Sequence, residues 1–232
     1  MSSPYLGRID AATARLLSTV ARMDDVVVAQ PSLLPGWDRA MVLKHLSANA
    51  FGLARVVEAA TRGEVAELYP GGRGARDAEI EAGRGAKVTD LERELRQSSQ
   101  LAMSVLRVAP DEVLQAPAVH YRMGEVQVGQ LVVARLREVE VHHVDLAFGY
   151  SPSDWPSEWV LEEMDRAMVD LPSRLPKGVA VALAATDTDQ HWVAGSGEAV
   201  ELDGTVGELF AWVTGRAVTV GGRRAPELGP WR

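Results

Sequence analysis

The stretch from about Gly129 to Phe148 reads as a helix that is apolar around much of its circumference, so it must be buried on most sides. Such an element belongs inside a bundle. It nevertheless carries the run Arg135-Leu136-Arg137-Glu138-Val139-Glu140-Val141-His142-His143-Val144-Asp145-Leu146, in which His142 lies four positions after Glu138. At roughly 3.6 residues per turn, that spacing stacks the two side chains on one face, one turn apart. A carboxylate beside an imidazole supplies two of the ligands that a zinc-like ion takes.

A second helix supplies a third ligand. Asp38 is a plausible N-cap after the breakers Pro31, Pro35 and Gly36, and Gly63 closes the element. Val42, Leu46, Leu53, Val56 and Val57 share one side of it, with His45 and Asn49 at the edge of that side, so His45 points inward. His45, Glu138 and His142 would form a two-histidine, one-carboxylate metal site with a coordination position left open, as catalytic metals require. The plainer reading of Glu138 and His142 is a helix-surface pair worth a few tenths of a kcal/mol. Glu140 and His143 share a different face and stand as an alternative pair, although His143 also suits packing. Asp145 either orients His142 from behind or is a solvated helix-end charge.

The remaining periodicities place these helices in a larger frame. Ile9, Ala12, Leu16, Val20 and Met23 mark a first helix, and Leu91, Leu95, Leu101, Val105 and Leu106 mark another over about Val88 to Val108. Thr89 and Glu92 fit a capping box for the latter. Four helices of this length predict a bundle. The texture then changes. Residues 178–186 read as a strand, His191 to Ala194 as its hairpin partner and Glu198 to Leu202 as a third strand; Thr205 to Thr214 reads as a short helix, and Ala217 to Val220 as an edge strand. The fold class is therefore mainly α with a small α/β domain: a bundle over residues 1–168, then an α/β domain over 169–232.

Composition narrows the function. The 232 residues contain no cysteine, so the chain has no disulfide, no thiolate metal site and no cysteine nucleophile; any thiol must come from a small molecule. A formal net charge of −8 and the lack of a basic stripe exclude nucleic acid as an expected partner. Small anions stay possible substrates, because a few arginines at a pocket outweigh the global field. No apolar run approaches membrane-spanning length and the N-terminal residues lack a signal-peptide core, so a cytoplasmic location and no membrane partner are expected.

Tyr69-Pro70-Gly71-Gly72-Arg73-Gly74-Ala75-Arg76-Asp77 is glycine-rich but matches no phosphate-loop pattern. It reads as a flexible loop, or as a loop that delivers Arg76 to the mouth of the bundle. His120 and His191 read as structural.

These residues resemble a known family, the mycothiol-dependent maleylpyruvate isomerases, a branch of the DinB-like metal-binding helical bundles. The resemblance is carried by Pro35-Gly36-Trp37, His45, Tyr69-Pro70-Gly71-Gly72, Ala75 to Glu81, the Arg137 to Leu146 run, Asp154-Trp155-Pro156 and Trp212 through Gly215-Arg216. It implies a DinB-like four-helix bundle holding one divalent metal, usually zinc, on two histidines and a glutamate, followed by a sterol-carrier-like domain. It implies mycothiol as cofactor and a small anionic electrophile as substrate. The implied reaction converts maleylpyruvate to fumarylpyruvate by thiolate addition, bond rotation and elimination. Such chemistry needs a metal-held thiolate, a cation near the developing enolate and a grip on the carboxylates. Arg216 is the candidate catalytic residue, against a plain helix-end cation; Arg76 is the candidate for cofactor binding and the carboxylate grip. Transfer of mycothiol to another electrophile, zinc-dependent hydrolysis and a non-catalytic binding module are the competing readings, and a monomer or weak homo-oligomer is expected.

Overall fold

A computed structural model describes residues 3–231, which divide into two compact units, the first ending at Tyr150 and the second beginning at Ser151. The first holds helices α1 (Ser3–Val20), α2 (Asp25–Val28), α3 (Arg39–Thr61), α4 (Gly72–Glu81) and α5 (Val88–Val108), then a hairpin of β1 (Pro117–His120) and β2 (Gly124–Gln127), and finally α6 (Val128–Asp145). Helices α1, α3, α5 and α6 pack as the expected four-helix bundle, with α3 against α5 and α6, and α1 against the same two. Ile9, Ala12, Leu16 and Val20 form the buried stripe of α1 at three- and four-residue steps. Each such aliphatic side chain contributes on the order of 1.5–3 kcal/mol on burial.

Helix α3 is the central element, and its start is local chemistry. The Asp38 carboxylate accepts from the Met41 amide at 2.9 Å, as the sequence predicts. Small residues then let neighbours approach closely. A Cβ on Gly52 would lie 2.3 Å from the Leu68 carbonyl oxygen, so glycine is required for residues 68–69 to lie against this helix. The same segment is held from the other side by the hairpin. Leu68 donates its amide to Val119, and Val119 donates to Ala66, at 2.9 and 3.0 Å.

Two local expectations give way. The glycine-rich stretch is a loop only as far as Gly71, whose φ of 81° is left-handed; α4 follows, anchored by buried Ile80. Beyond Gly74, the run Ala-Arg-Asp-Ala-Glu-Ile-Glu favours a helix. Helix α5 begins two residues earlier than a Thr89 cap requires, with Lys87 at the N-cap position and no capping side chain there. Instead Asp25 of α2 accepts from the Val88 amide at 2.9 Å, and Glu92 pairs with Arg96 at 2.7 Å. A tertiary cap replaces the local one.

The second unit contains α7 (Ser157–Ala167), α8 (Leu171–Arg174), β3 (Val179–Ala185), β4 (His191–Gly195), β5 (Glu198–Gly204), α9 (Val206–Val213) and a ribbon of β6 (Thr219–Val220) with β7 (Arg223–Arg224). The sheet order is β4-β3-β5, with β3 antiparallel to β4 and parallel to β5. A reciprocal capping box of Thr205 and Glu208 opens α9. The division at Tyr150/Ser151 falls ahead of the expected 168/169 boundary because α7 packs on α9, where Trp155, Trp159 and Phe210 meet edge-on at 5.3–5.9 Å. The expected edge strand at 217–220 pairs with β7 in its own ribbon, outside the three-stranded sheet. Among the described residues no helix is long and apolar enough to cross a membrane.

Candidate metal centre

Helices α3 and α6 face each other, and the polar residues of their shared side meet. Glu138 Oε2 lies 2.9 Å from His45 Nε2 and 3.1 Å from His142 Nε2. The two imidazoles stand edge to face with centroids 4.8 Å apart. One ligand atom from each residue falls within 4.8 Å of the other two, and His45 is buried. The sequence reading placed these three together, and so does the structure.

Protonation explains why such a cluster suits a cation. Burial pushes His45 down to about 4, against the opposing pull of Glu138, so it is neutral at physiological pH. Burial also opposes ionisation of Glu138, but the two histidines outweigh it and hold the carboxyl well below its usual range. His142 loses through burial and gains more from Asp145 and Glu138, which together raise it to about 8. The Asp145 carboxylate is fully buried and lies 2.8 Å from His142 Nδ1, so it accepts that N–H and turns Nε2 toward Glu138. A neutral His142 in that tautomer would set a lone pair against a carboxylate oxygen. Either a proton or a cation relieves the clash. Two nitrogens and one carboxylate oxygen, backed by a buried carboxylate, fit a zinc-class ion.

The alternative pair packs instead. Glu140 forms a short ion pair with Arg15 and accepts from the Tyr150 hydroxyl at 2.6 Å. His143 meets the Thr19 hydroxyl at 2.8 Å and stacks on Tyr150. Both therefore serve the α1 side of α6.

Arg76 reaches the cluster from α4. Its guanidinium lies over the rings of Trp37, Tyr69 and Tyr121, 5.4–5.8 Å from their centroids, and one nitrogen is 3.4 Å from His45 Nδ1. Burial opposes its charge, while Tyr121, Tyr69, Glu138 and Asp77 favour it and raise its pKa further. Asp77 takes one of its N–H groups at 2.9 Å, and its buried Nε–H has no acceptor among the described residues. Such a cation, fixed by aromatic faces, is equipped to hold a carboxylate.

Three contributors escaped the sequence reading. Arg135 is buried among α3, α5 and α6, donating to the Leu46 carbonyl at 2.8 Å, Asn49 at 2.9 Å and Ser99 at 3.3 Å. Burial lowers it to about 10. Asn49 donates in turn to the Tyr69 hydroxyl at 3.3 Å, so the network steadies one ring against Arg76. The available signal was an arginine on the apolar side of α6, between Val132 and Val139. Tyr69 entered the sequence reading only within the Tyr69-Pro70-Gly71-Gly72 run, without a role, and Tyr121 carried no local signal.

Three further sequence candidates remain, and His120 stands beside the cage, its ring centroid 4.8 Å from that of Tyr121. His120 Nδ1 accepts from the Arg122 amide at 3.2 Å inside the hairpin turn, and His191 is an exposed residue of β4. Arg216 belongs to the second unit, just after Gly215 with its φ of 76°. It donates to the Thr214 carbonyl at 2.6 Å and lies 5.2 Å from the Trp231 ring centroid.

Bundle and cluster together define a class, the DinB-like helical bundles, here with a candidate metal site on two facing helices. Residues 9–147 match the family model described as the mycothiol maleylpyruvate isomerase N-terminal domain, and the chain belongs to that family. A crystal structure of the mycothiol-dependent maleylpyruvate isomerase shares the fold, with a TM-score of 0.87 at 20% identity over 98% of this chain and 96% of that one. A mutant form of the mycothiol-dependent maleylpyruvate isomerase matches with the same TM-score and coverage at 21% identity. A search of curated proteins finds no sequence match.

Proposed function

We propose that this protein is a mycothiol-dependent cis-trans isomerase that converts maleylpyruvate to fumarylpyruvate. The observation that carries the reading is the convergence of His45, Glu138 and His142 beside a buried, aromatic-flanked Arg76, within a chain that has no thiol of its own. A divalent ion, with zinc the first candidate, would lower the pKa of a bound thiol, and mycothiol would supply the sulfur that adds reversibly to the cis double bond. His45 and His142 would hold the ion through Nε2, and Glu138 through its carboxylate. Asp145 keeps the proton on His142 Nδ1, so Nε2 stays a donor of electrons. Arg76 would grip a substrate carboxylate, with its ring-lined surround excluding water from the contact. Arg216 is proposed as the cation that stabilises the enolate formed once the double bond becomes single and free to rotate.

Ligand replacement tests the metal half of the proposal. His45→Ala and His142→Ala should stay folded yet lose bound zinc after dialysis, since two remaining ligands hold an ion weakly. Full metal occupancy in both variants would rule out this site. Transfer of the thiol to a stable adduct, in place of a released trans product, would instead mark an S-transferase.

A further inference from the structure

The hydroxyl of Tyr69 sits on a residue only 5% exposed, and its neighbours fix the direction in which it can donate. Arg135 carries N–H donors and no acceptor, so Asn49 must turn its carbonyl oxygen toward that guanidinium, and the two meet at 2.9 Å. The Asn49 amide nitrogen then faces the other way and donates to the Tyr69 oxygen at 3.3 Å. An amide NH2 cannot accept a hydrogen bond. The Tyr69 oxygen is therefore the acceptor here, and its own O–H hydrogen must point elsewhere.

That hydrogen has no acceptor among the described residues. Burial raises the pKa of the hydroxyl and the Glu138 charge adds to the rise, against the weaker opposition of Asn49 and Arg76, so the proton stays on the oxygen at physiological pH. A buried donor without a partner is costly and therefore uncommon. Its position indicates what it serves. Asn49 lies one turn after His45 on α3, and Arg135 lies three positions before Glu138 on α6, so the residues that orient Tyr69 adjoin the candidate metal ligands. The Tyr69 ring centroid is 5.6 Å from the Arg76 guanidinium, which in turn comes within 3.4 Å of His45 Nδ1. A fixed O–H donor beside a fixed guanidinium suits an anionic oxygen.

We propose that Tyr69 is a further substrate-binding residue, its hydroxyl donating to the same carboxylate that Arg76 grips. The inference rests on the anionic substrate proposed above. Asn49 and Arg135 are then positioning residues: they hold the hydroxyl oxygen as an acceptor and so keep its hydrogen for the ligand. Two donors of different shape fix the orientation of a carboxylate, which a charge alone leaves able to turn.

Maleate, a cis dicarboxylate, is the probe, because in the absence of thiol it can bind without reacting. Calorimetric titration into the full chain loaded with zinc should show saturable binding to wild type and binding at least about tenfold weaker to Tyr69→Phe, which keeps the ring and removes the O–H. Tyr150→Phe, which removes a hydroxyl that donates to Glu140 at 2.6 Å, should bind as wild type does. A crystal structure of Tyr69→Phe should show Arg76 still seated over the ring. No binding of maleate to wild type, or undiminished affinity in Tyr69→Phe, overturns the assignment. An equal loss in Tyr150→Phe, or a displaced Arg76, overturns it too, since the loss would then be indirect. Maleate binding that depends on Tyr69, in a protein that leaves maleylpyruvate unconverted with zinc and mycothiol present, counts against the isomerase reading and supports the Tyr69 assignment.

Discussion

Replacing Asp145 with asparagine should loosen the metal without unfolding the bundle. The carboxylate is fully buried, and one oxygen lies 2.8 Å from His142 Nδ1. Asparagine keeps the size and one acceptor oxygen but removes the negative charge that makes His142 a stronger ligand. A hydrogen bond to a charged group is worth about 1.5–3 kcal/mol, of which the substitution loses the ionic share. Residues that orient a metal-binding histidine typically change affinity by about 10–100-fold, or about 1.4–2.8 kcal/mol. Competition against a chromophoric chelator measures that range directly. Glu140→Gln is the control, a buried carboxylate on the same helix that pairs with Arg15 and Tyr150. Unchanged zinc affinity in Asp145→Asn, or an equal loss in Glu140→Gln, would refute the orienting role.

Two further substitutions probe other parts of the account. Arg216→Ala should keep its metal and fold yet lose at least about tenfold in kcat, as expected of a charge-stabilising donor, and Arg216→Lys should recover little if a guanidinium fork is needed; near-normal turnover would leave a plain helix-end cation. Gly52→Ala should cost on the order of 1–3 kcal/mol in a denaturant titration, because its Cβ would lie 2.3 Å from the Leu68 carbonyl oxygen; unchanged stability would show that the 68–69 segment yields freely.

The parts of the site that were legible in the sequence are the ones set by short-range geometry. Glu138 and His142 sit one turn apart on any helix, and the apolar pattern around His45 aims it inward whatever surrounds it. The Arg76 cage was not legible, since its three rings come from a loop before α3, a segment before α4 and a hairpin turn. Only tertiary packing brings Trp37, Tyr69 and Tyr121 to one guanidinium. The Thr89–Glu92 capping pattern misled for the same reason: Asp25, far away in sequence, caps α5 instead. The glycines at 71, 72 and 74 suggested a longer loop, but only the beginning of that run stays non-helical. In the second unit, β3 was legible as the apolar run within 178–186, with His191 to Ala194 as its partner, whereas the β1–β2 hairpin of the first unit has strands too short to announce themselves.

The central claim is that turnover depends on an external thiol at a metal held by this chain. The most direct test is the conversion of maleylpyruvate by zinc-loaded protein, followed by product chromatography, with and without mycothiol and with and without chelator. The account predicts fumarylpyruvate only when both metal and mycothiol are present. Isomerisation at an undiminished rate in thiol-free buffer, or after complete metal removal, would contradict it.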